Sequence, residues 1–480
     1  MRKRLFFTCA LLALIVLAGT FGAGSAAAAP DLAGSWAGAL ELPGAELEMI
    51  FHITPEADGM WSGTLDVPAQ GAEGIPITEV KIEDGTVVFN VSLIAGVYSG
   101  SLSPDGLSLA GVWEQSGMKI PLTLEKAMEK PAGPNRPQEP QPPYPYGEIE
   151  VRYPNPEAGI ELAGTLTVPE GEGPFPAVLL ISGSGAQDRN EELMGHKPFL
   201  VLADYLTRRG IAVLRVDDRG VGESTGNFAT ATTLDFTSDV LAGVEFLKTR
   251  PEIDAARIGL IGHSEGGLVA PLAARASSDV SFIVLMAGPG VNGEEIAYLQ
   301  SDLLLEAAGM PQAVKDEQRA VQEALFAIAK TEEDPEKAAE EMKALLLAPY
   351  AGLSEEELAA LGDVETAALV QIQQILSPWY KFFMVHDPLP VLREVKCPVL
   401  AINGSKDMQV PADPNLVLIE KALKEGGNEN YTVLELPGLN HLFQTAETGL
   451  PDEYYYIEET MSPAALEVIG DWLVEVTGLK

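Results

Sequence analysis

The stretch Gly262-His263-Ser264-Glu265-Gly266 decides how the second half of this chain folds. Residues 257–261 before it form an apolar run typical of a buried strand, and residues 266–274 after it begin a helical pattern. The two glycines suit a tight turn in which the flanking backbones approach closely. We therefore expect Ser264 on a strand–turn–helix junction, as a candidate nucleophile, with the backbone N–H of Glu265 placed to donate to an oxyanion.

The candidate general base is one of five histidines in the chain, which are His52, His196, His263, His386 and His441. A serine hydroxyl is a poor nucleophile unless a base takes its proton. His441 follows the last apolar run on a loop, where such a base is expected. The other four are less well placed. His52 lies in a β-rich N-terminal part, and His196 comes too early in the chain. His263 lies in the turn itself, with a packing or loop-bonding role, and His386 lies in a helical insertion.

Asp407 is the candidate acid that would hold the base in the correct tautomer. It follows the apolar run 398–403, and Ser264, Asp407 and His441 occur in one of the known chain orders of a catalytic triad. Asp413 is the nearest competitor. It lies beyond a proline, where we expect it to cap the next helix.

A second oxyanion donor is expected from the loop after the apolar run 177–182. Its glycines would let backbone amides turn toward a substrate, and the sequence leaves Ser184 and Gly185 as alternative donors. Residues 217–224 are glycine-rich but lack the pattern of a phosphate-binding loop. No His, Cys and Asp residues have the spacing of metal ligands in the sequence, so we expect no metal.

Apolar runs alternate with helical patterns from residue 148 onward. Runs rich in Val, Ile and Leu without polar alternation are typical of a parallel sheet that is buried on both faces. They predict an α/β fold with a doubly wound, mostly parallel sheet. The runs lie at 177–182, 211–216, 257–262, 282–287, 398–403 and 431–436. Residues 291–392 interrupt them with amphipathic patterns, which predicts an all-helical cap inserted above the carboxyl ends of the strands.

The N-terminal part of the chain has a different texture. Short alternating runs separated by turn signals predict a small all-β domain, a barrel or sandwich, over residues 30–128. Trp36, Trp61 and Trp113 are expected to fill its interior. Residues 129–147 carry seven prolines and predict a semi-rigid linker, so that the larger domain spans 148–480.

The first 29 residues have the order of a secretory signal peptide. Arg2, Lys3 and Arg4 precede an apolar run, and small residues follow at 24–29. The apolar run is short for a membrane anchor, and no lipobox precedes Cys9. We therefore expect an exported protein, periplasmic, cell-envelope or extracellular, that has no stable membrane insertion after cleavage. Its remaining cysteine, Cys397, would have no intrachain disulfide partner.

The net charge of −39 bears on possible partners. Loss of the basic leader would make the charge still more negative. Such a surface repels nucleic acid and anionic membranes, so we expect neither as a partner. A small-molecule substrate is the expected partner, and the sequence does not indicate an oligomeric state.

The chain resembles the exported bacterial carboxylesterases of the α/β-hydrolase superfamily, of the Thermotoga esterase-D type. The resemblance is densest at residues 181–189, 217–224, 262–267 and 440–444. It implies a serine carboxylesterase that hydrolyses esters of short- to medium-chain acyl groups without a cofactor. It also implies that Ser264, Asp407 and His441 are the catalytic nucleophile, acid and base. It does not fix a natural substrate.

Three other functions remain open at this point. The same triad could cleave amides, as in a peptidase or amidase of the prolyl-oligopeptidase-like branch. A thioesterase or acyltransferase would use the same residues. A non-catalytic binding protein on a hydrolase scaffold is the alternative outside the enzymes, with the β-rich domain as its working part. Fluorophosphonate labelling of Ser264 would separate an active site from an inactive one.

Overall fold

The computed structural model describes residues 32–42, 45–56, 60–83, 86–115, 118–127, 134–354, 358, 361 and 363–479. The predicted signal peptide lies outside these residues. The chain divides into two compact units. Unit 1 comprises residues up to 133 together with Thr331–Ile375, and unit 2 comprises Pro134–Lys330 together with Leu376–Lys480.

Unit 1 contains one sheet in which every described strand pair is antiparallel. The strand order is β4-β3-β2-β1-β9-β8-β7-β6-β5. The strands are β1 (Gly34–Leu42), β2 (Ala45–Pro55), β3 (Trp61–Val67), β4 (Ala72–Pro76), β5 (Glu79–Glu83), β6 (Thr86–Val91), β7 (Gly96–Leu102), β8 (Ser108–Gln115) and β9 (Met118–Ala127). This antiparallel half-barrel confirms the predicted all-β part of the fold.

The interior of the half-barrel is filled by aromatic rings. Trp36 and Trp113 are buried, as predicted, whereas Trp61 is only partly buried against the same cluster. The ring of Phe51 lies 5.3 Å from that of Phe89 and 6.0 Å from that of Trp113, measured between centroids. These offset and edge contacts are typical of a packed aromatic core.

Unit 1 also includes part of the helical segment. Its described helices are α6 (Pro335–Leu347) and α7 (Val364–Leu376), of which the second ends at the unit boundary. A backbone hydrogen bond of 3.2 Å from Asp363 N to Ser92 O connects this segment to the half-barrel. Amphipathic patterning alone does not predict this grouping, because the buried face of a helix does not identify the surface that covers it.

Unit 2 is built on a mixed sheet of order β10-β11-β13-β12-β14-β15-β16-β17. The strands are β10 (Gly147–Asn155), β11 (Ile160–Val168), β12 (Phe175–Ile181), β13 (Ala212–Val216), β14 (Ile253–His263), β15 (Phe282–Met286), β16 (Val399–Gly404) and β17 (Tyr431–Leu436). Strand β11 pairs antiparallel with both of its neighbours, and the pairs from β13 to β17 are parallel.

Helices cover both faces of this sheet. They are α1 (Pro198–Arg208), α2 (Thr233–Lys248), α3 (Gly266–Ala276), α9 (Pro388–Glu394), α10 (Ala412–Glu425) and α11 (Pro463–Thr477). Three further helices lie between β15 and β16, which are α4 (Gly293–Ala307), α5 (Gln312–Thr331) and α8 (Pro378–Val385). Along β12, Leu179 joins a buried cluster with residues of α2, α3 and α10, whereas Leu180 joins one with residues of α1 and α11. Side chains that alternate between two buried faces explain the unbroken apolar runs. The predicted doubly wound sheet is confirmed.

The described residues between β15 and β16 form helices and turns, as the amphipathic patterns predicted. No helix in the described ranges is both long and apolar enough to cross a membrane.

The described part of the proline-rich segment is bound to unit 2. Arg136 donates to the backbone carbonyl oxygens of Ile457 at 2.9 Å and Tyr455 at 2.8 Å. The side-chain oxygen of Gln138 accepts hydrogen bonds from the backbone N–H groups of Thr460 and Met461. The segment therefore does more than separate two domains, because its polar side chains satisfy backbone groups of the loop before α11.

Candidate active site

Ser264 occupies the turn between β14 and α3, as the sequence predicted. Its φ is +52°, a left-handed conformation that is uncommon for residues other than glycine. Its backbone N–H donates to the carbonyl oxygen of Met286 at 2.8 Å. A Cβ atom on Gly262 would lie 2.0 Å from the carbonyl oxygen of Gly266, and one on Gly266 would lie 2.3 Å from that of Ile181. Close backbone approach therefore requires both glycines.

The ring of His441 and the carboxylate of Asp407 form a buried hydrogen-bonded pair. His441 Nδ1 lies 2.8 Å from Asp407 Oδ2, and both residues are about 4% exposed. Asp407 Oδ1 accepts hydrogen bonds from the backbone N–H groups of Gln409 and Val410, each at 2.8 Å. Because the carboxylate accepts, Nδ1 carries the proton and Nε2 presents a lone pair. That is the tautomer of a general base.

Asp413, the competing acid, lies in a different environment. It is exposed, and its φ of −98° and ψ of 125° are not helical. Helix α10 is interrupted at Asp413, and the extended backbone of this residue directly before Pro414 is compatible with the predicted N-cap role. Asp407 is therefore the acid that the structure brings together with His441.

The candidate oxyanion loop follows β12. Ser184 and Gly185 are both exposed on it, and Gly185 has a φ of +103°. The backbone N–H of Gly183 donates to Glu191 Oε1 at 2.7 Å. This bond occupies the amide of Gly183, so Ser184 and Gly185, the two residues that the sequence named, remain the candidate donors.

The carboxyl group of Asp218 binds this loop at both ends through hydrogen bonds. Its Oδ1 accepts a hydrogen bond from Ser182 Oγ at 2.8 Å and its Oδ2 accepts one from the backbone N–H of Gln187 at 2.9 Å. Burial raises the pKa of Asp218 to about 8, against the effect of these hydrogen bonds. The neighbouring Asp217 binds Arg189 through both carboxylate oxygens, at 3.0 Å to Nε and 2.7 Å to Nη2. The loop is thus fixed at two points.

The side chain of Glu265, the residue after the nucleophile, is buried. Its Oε1 accepts hydrogen bonds from Thr233 Oγ1 and from Trp379 Nε1, each at 2.7 Å. Burial raises the pKa of Glu265 to about 7. The indole of Trp379 stacks on Phe383, with ring centroids 5.2 Å apart. Helix α8 is therefore tied to the residue whose amide is the candidate oxyanion donor.

His263 has the loop-bonding role that the sequence predicted, with a charged partner that it did not predict. His263 Nδ1 lies 2.9 Å from Glu191 Oε1, and Nε2 lies 3.0 Å from the carbonyl oxygen of His441. Burial works against the charge of the ring, but Glu191 outweighs it, and the pKa of His263 is raised.

The remaining histidines have partners elsewhere. His196 is buried and bonded to Tyr454 O at 2.9 Å, and burial lowers its pKa to about 4. His386 ends α8 and stacks on Phe382. In unit 1, His52 binds Asp66 at 2.7 Å.

A small cavity of about 50 Å³ adjoins the site. Ser182, Gly183, Asp218 and Glu265 contribute to its wall. Because pockets for small molecules usually measure about 300–1,000 Å³, this cavity has room for water but not for a substrate.

Sequence reasoning missed Glu191, Asp218 and Trp379. Asp218 is the second residue after β13, and a polar residue at the carboxyl end of a parallel strand is a usable signal. Glu191 and Trp379 belong to no local motif. Glu191 contacts His263, which is 72 positions away along the chain, and Trp379 contacts Glu265, which is 114 positions away.

The fold and this site define the class of protein: the chain has the α/β-hydrolase fold, with a serine, an aspartate and a histidine in the chain order of a hydrolase triad. It belongs to the family described as X-Pro dipeptidyl-peptidase (S15 family), whose family model matches residues 158–432, more than half of the chain.

Curated relatives include enzymes named as esterases. Esterase EstD of Thermotoga maritima is 26% identical over 318 residues, which cover 65% of this chain and 66% of that protein. Esterase FrsA of Escherichia fergusonii is 28% identical over 163 residues, 32% of this chain and 37% of that one. The chain thus spans just under two thirds of the first relative and over a third of the second. Among solved structures, an esterase of Pyrococcus furiosus aligns with 17% identity and a TM-score of 0.40, covering 72% of this chain and 98% of that one.

Proposed function

We propose that this protein hydrolyses carboxylic esters with short- to medium-chain acyl groups, using Ser264 as nucleophile, His441 as base and Asp407 as acid. The observation that carries the proposal is the buried His441–Asp407 hydrogen bond of 2.8 Å. Asp407 and His441 follow β16 and β17, and Ser264 follows β14. Because the carboxyl ends of parallel strands meet at one edge of a sheet, this topology supports a single site. The names of the esterase relatives support the ester substrate.

The proposed reaction is a two-step acyl transfer. His441 Nε2 takes the proton of Ser264 Oγ as the oxygen attacks the ester carbonyl, and the backbone N–H groups of Glu265 and of Ser184 or Gly185 hold the oxyanion. His441 then gives the proton to the departing alcohol, which leaves an acyl-enzyme on Ser264. The same base activates water to release the acid. No step requires a metal or cofactor.

Substitution of the nucleophile tests the proposal. Ser264→Ala should lower kcat on p-nitrophenyl butyrate by a factor on the order of 10⁶ and abolish labelling by a fluorophosphonate. Ser278→Ala is the matched control, because Ser278 is an exposed residue after α3 and outside the site. A Ser264→Ala protein that hydrolyses the ester at the wild-type rate would disprove the assignment.

A peptidase is the second candidate function, and the description of the matched family favours it. An amide is the harder substrate because its amine must be protonated before it leaves, and the same histidine would supply that proton. Purified protein should be offered p-nitrophenyl esters, dipeptide p-nitroanilides with proline next to the reporter, and acyl thioesters. We expect the highest kcat/KM on esters. A higher value on the anilides would support the peptidase, and one on the thioesters would support a thioesterase.

The organisation of the chain is part of the proposal. We propose a cleaved signal peptide at 1–29, a β-rich domain at 30–128, a linker at 129–147 and a hydrolase domain at 148–480 with a cap at 291–392. The position of the helical insertion between β15 and β16 supports a cap, because ligands bind beyond the carboxyl ends of such strands. Export would leave a protein that begins near residue 30, and N-terminal sequencing after expression in a bacterial host tests this.

A further inference from the structure

Glu191 and His263 form a buried pair beside His441. The distance from Glu191 Oε1 to His263 Nδ1 is 2.9 Å, and the two residues are 4% and 5% exposed. On the other side of the ring, His263 Nε2 lies 3.0 Å from the backbone carbonyl oxygen of His441. The two imidazole rings are 4.8 Å apart between centroids. The pair therefore contacts the backbone of the proposed base and lies next to its ring.

The hydrogen-bond partners of His263 indicate its protonation state. A carbonyl oxygen can only accept, so Nε2 carries a proton. At Nδ1 the partner oxygen also accepts the backbone N–H of Gly183 at 2.7 Å, as an ionised carboxylate does. With an acceptor at each nitrogen, the ring is an imidazolium that faces a carboxylate. The raised pKa of His263, for which Glu191 is the cause, agrees with this state.

The pair touches three segments that meet at Ser264. Gly183 begins the candidate oxyanion loop, His263 ends β14, and His441 lies on the loop after β17. A Cβ atom on Gly183 would lie 3.2 Å from the Cβ of Ser264. Movement of either loop by a fraction of an ångström would therefore change the geometry around the nucleophile.

We propose that Glu191 and His263 are positioning residues, whose ion pair fixes the oxyanion loop and the His441 loop in one geometry around Ser264. The inference rests on the proposed function, since it assigns the pair a role in the same site. Neither side chain touches the substrate. Glu191 acts through the N–H of Gly183, and His263 acts through the carbonyl group of His441.

The backbone at Glu191 supports a role beyond packing. Its φ of +52° is left-handed, a conformation that persists in a residue other than glycine only where the surroundings enforce it. The turn is held by a 2.9 Å hydrogen bond from Glu191 N to Asp188 O. The Asp188 carboxylate accepts the N–H groups of Asn190 and Glu192, each at 3.0 Å. The turn thus presents the carboxylate to the ring from a fixed backbone.

The pair gives the reaction a pH dependence of predictable sign. The charge of Asp407 favours the imidazolium of His263, as that of Glu191 does. Burial, with a smaller effect of Glu191, raises the pKa of Asp218 to about 8, so this carboxyl group is protonated below that pH. The imidazolium is present below the raised pKa of His263 and is lost above it. The contribution of the pair to kcat is therefore lost on the alkaline side of the pH profile.

Glu191→Gln tests the inference, since it keeps the shape of the side chain and removes the charge. We expect kcat on p-nitrophenyl butyrate to fall about 10²-fold with KM nearly unchanged, as misplacement of catalytic groups does. The alkaline limb of kcat should move to lower pH, because burial then lowers the pKa of His263. Glu192→Gln is the matched control, an exposed neighbour that loses the same charge. Wild-type kcat and an unmoved alkaline limb in Glu191→Gln would overturn the inference.

A spectroscopic measurement covers the case in which Glu191→Gln does not fold. In the full-length Ser264→Ala protein with ¹⁵N-labelled histidine, the His263 ring should lose its second proton at a higher pH than free histidine does, because its pKa is raised. A ring that loses this proton at the pH of free histidine or below it would overturn the inference without any assay of activity.

The two proposals can fail separately. If a fluorophosphonate labels wild-type Ser264 and Glu191→Gln behaves as the wild type, the ion pair has no positioning role and the proposed function stands. If wild-type Ser264 is not labelled, the proposed function fails, and the ring titration still reports whether the ion pair exists.

Discussion

The indole Nε1 of Trp379 donates to Glu265 Oε1 over 2.7 Å, one residue from Ser264. This bond connects α8, a helix inserted between β15 and β16, to the N-cap residue of α3, whose backbone amide is the candidate oxyanion donor. It is one of only two side-chain hydrogen bonds found at this carboxylate in the described part of the chain, and Thr233 makes the other. Its loss would leave a buried carboxyl group with one donor.

Trp379→Phe should lower the free energy of unfolding by about 1–3 kcal/mol, the cost of an unsatisfied buried polar group. It should also lower kcat, because the side chain of Glu265 then keeps only the hydrogen bond from Thr233 and fixes the position of its backbone amide less firmly. Urea unfolding and ester kinetics measure the two effects. Trp472→Phe is the control for the smaller ring alone, because Trp472 is partly buried against Phe282, and this variant should keep the wild-type kcat. Equal kcat in both variants would count against the Trp379–Glu265 connection.

Asp218 should make stability fall as pH rises. Its folded pKa of about 8 is above the unfolded value of about 4, so the folded protein holds this proton over a window in which the unfolded chain has lost it. The protonated Asp218 contributes fully to the free energy of unfolding below about pH 4, and this contribution is lost as pH rises through 8. The free energy of unfolding should fall by an amount on the order of several kcal/mol over this range.

Asp218→Asn mimics the protonated carboxyl group and should remove this dependence. Its amide oxygen can accept the N–H of Gln187, and its amide nitrogen can donate to Ser182 Oγ. The free energy of unfolding, measured at pH 5 and pH 8, should differ less between the two pH values in the variant than in the wild type. An equal difference would show that Asp218 titrates normally.

Asp407→Asn should lower kcat about 10⁴-fold with little loss of stability, because an amide at this position favours the wrong tautomer of His441. Asp413→Asn is the matched control, because Asp413 is an exposed aspartate at the start of α10. Its kcat should equal that of the wild type. The reverse pattern in a steady-state assay would make Asp413 the acid.

Gly262→Ala should destabilise the protein by about 3 kcal/mol or more or prevent folding, because the new methyl group would meet a backbone carbonyl oxygen at 2.0 Å. Gly147→Ala in the same unit brings its Cβ no closer than 3.7 Å to a neighbour, so it should stay within about 0.5 kcal/mol of the wild type. Thermal melting of the two variants gives the comparison, and equal melting temperatures would contradict the close approach.

Much of the fold could be predicted from the sequence because the relevant patterns are local. The buried strand over residues 257–261 lies within β14, and the helical pattern from Gly266 coincides with the start of α3. Chain order then identified Asp407 and His441, which the structure brings to 2.8 Å of each other.

The residues that surround and support the candidate triad could not be predicted, because their positions depend on contacts between distant segments of the chain. The left-handed turn that presents Glu191 contains no glycine at that position, and nothing in the pattern around Trp379 indicates an acidic partner. Burial, which sets the pKa of Asp218 and of Glu265, is a property of the folded chain and has no local signature in either residue.

The attachment of Arg136 and Gln138 to the loop before α11 bears on how the chain can be shortened. A truncated hydrolase that starts with β10 at Gly147 would lose the acceptor for the amides of Thr460 and Met461 and the guanidinium that binds two carbonyl groups nearby. The compact unit that contains this sheet therefore begins at Pro134, ahead of the first strand. A fusion or proteolytic cut placed at the strand boundary would remove hydrogen-bond partners from the surface of this unit.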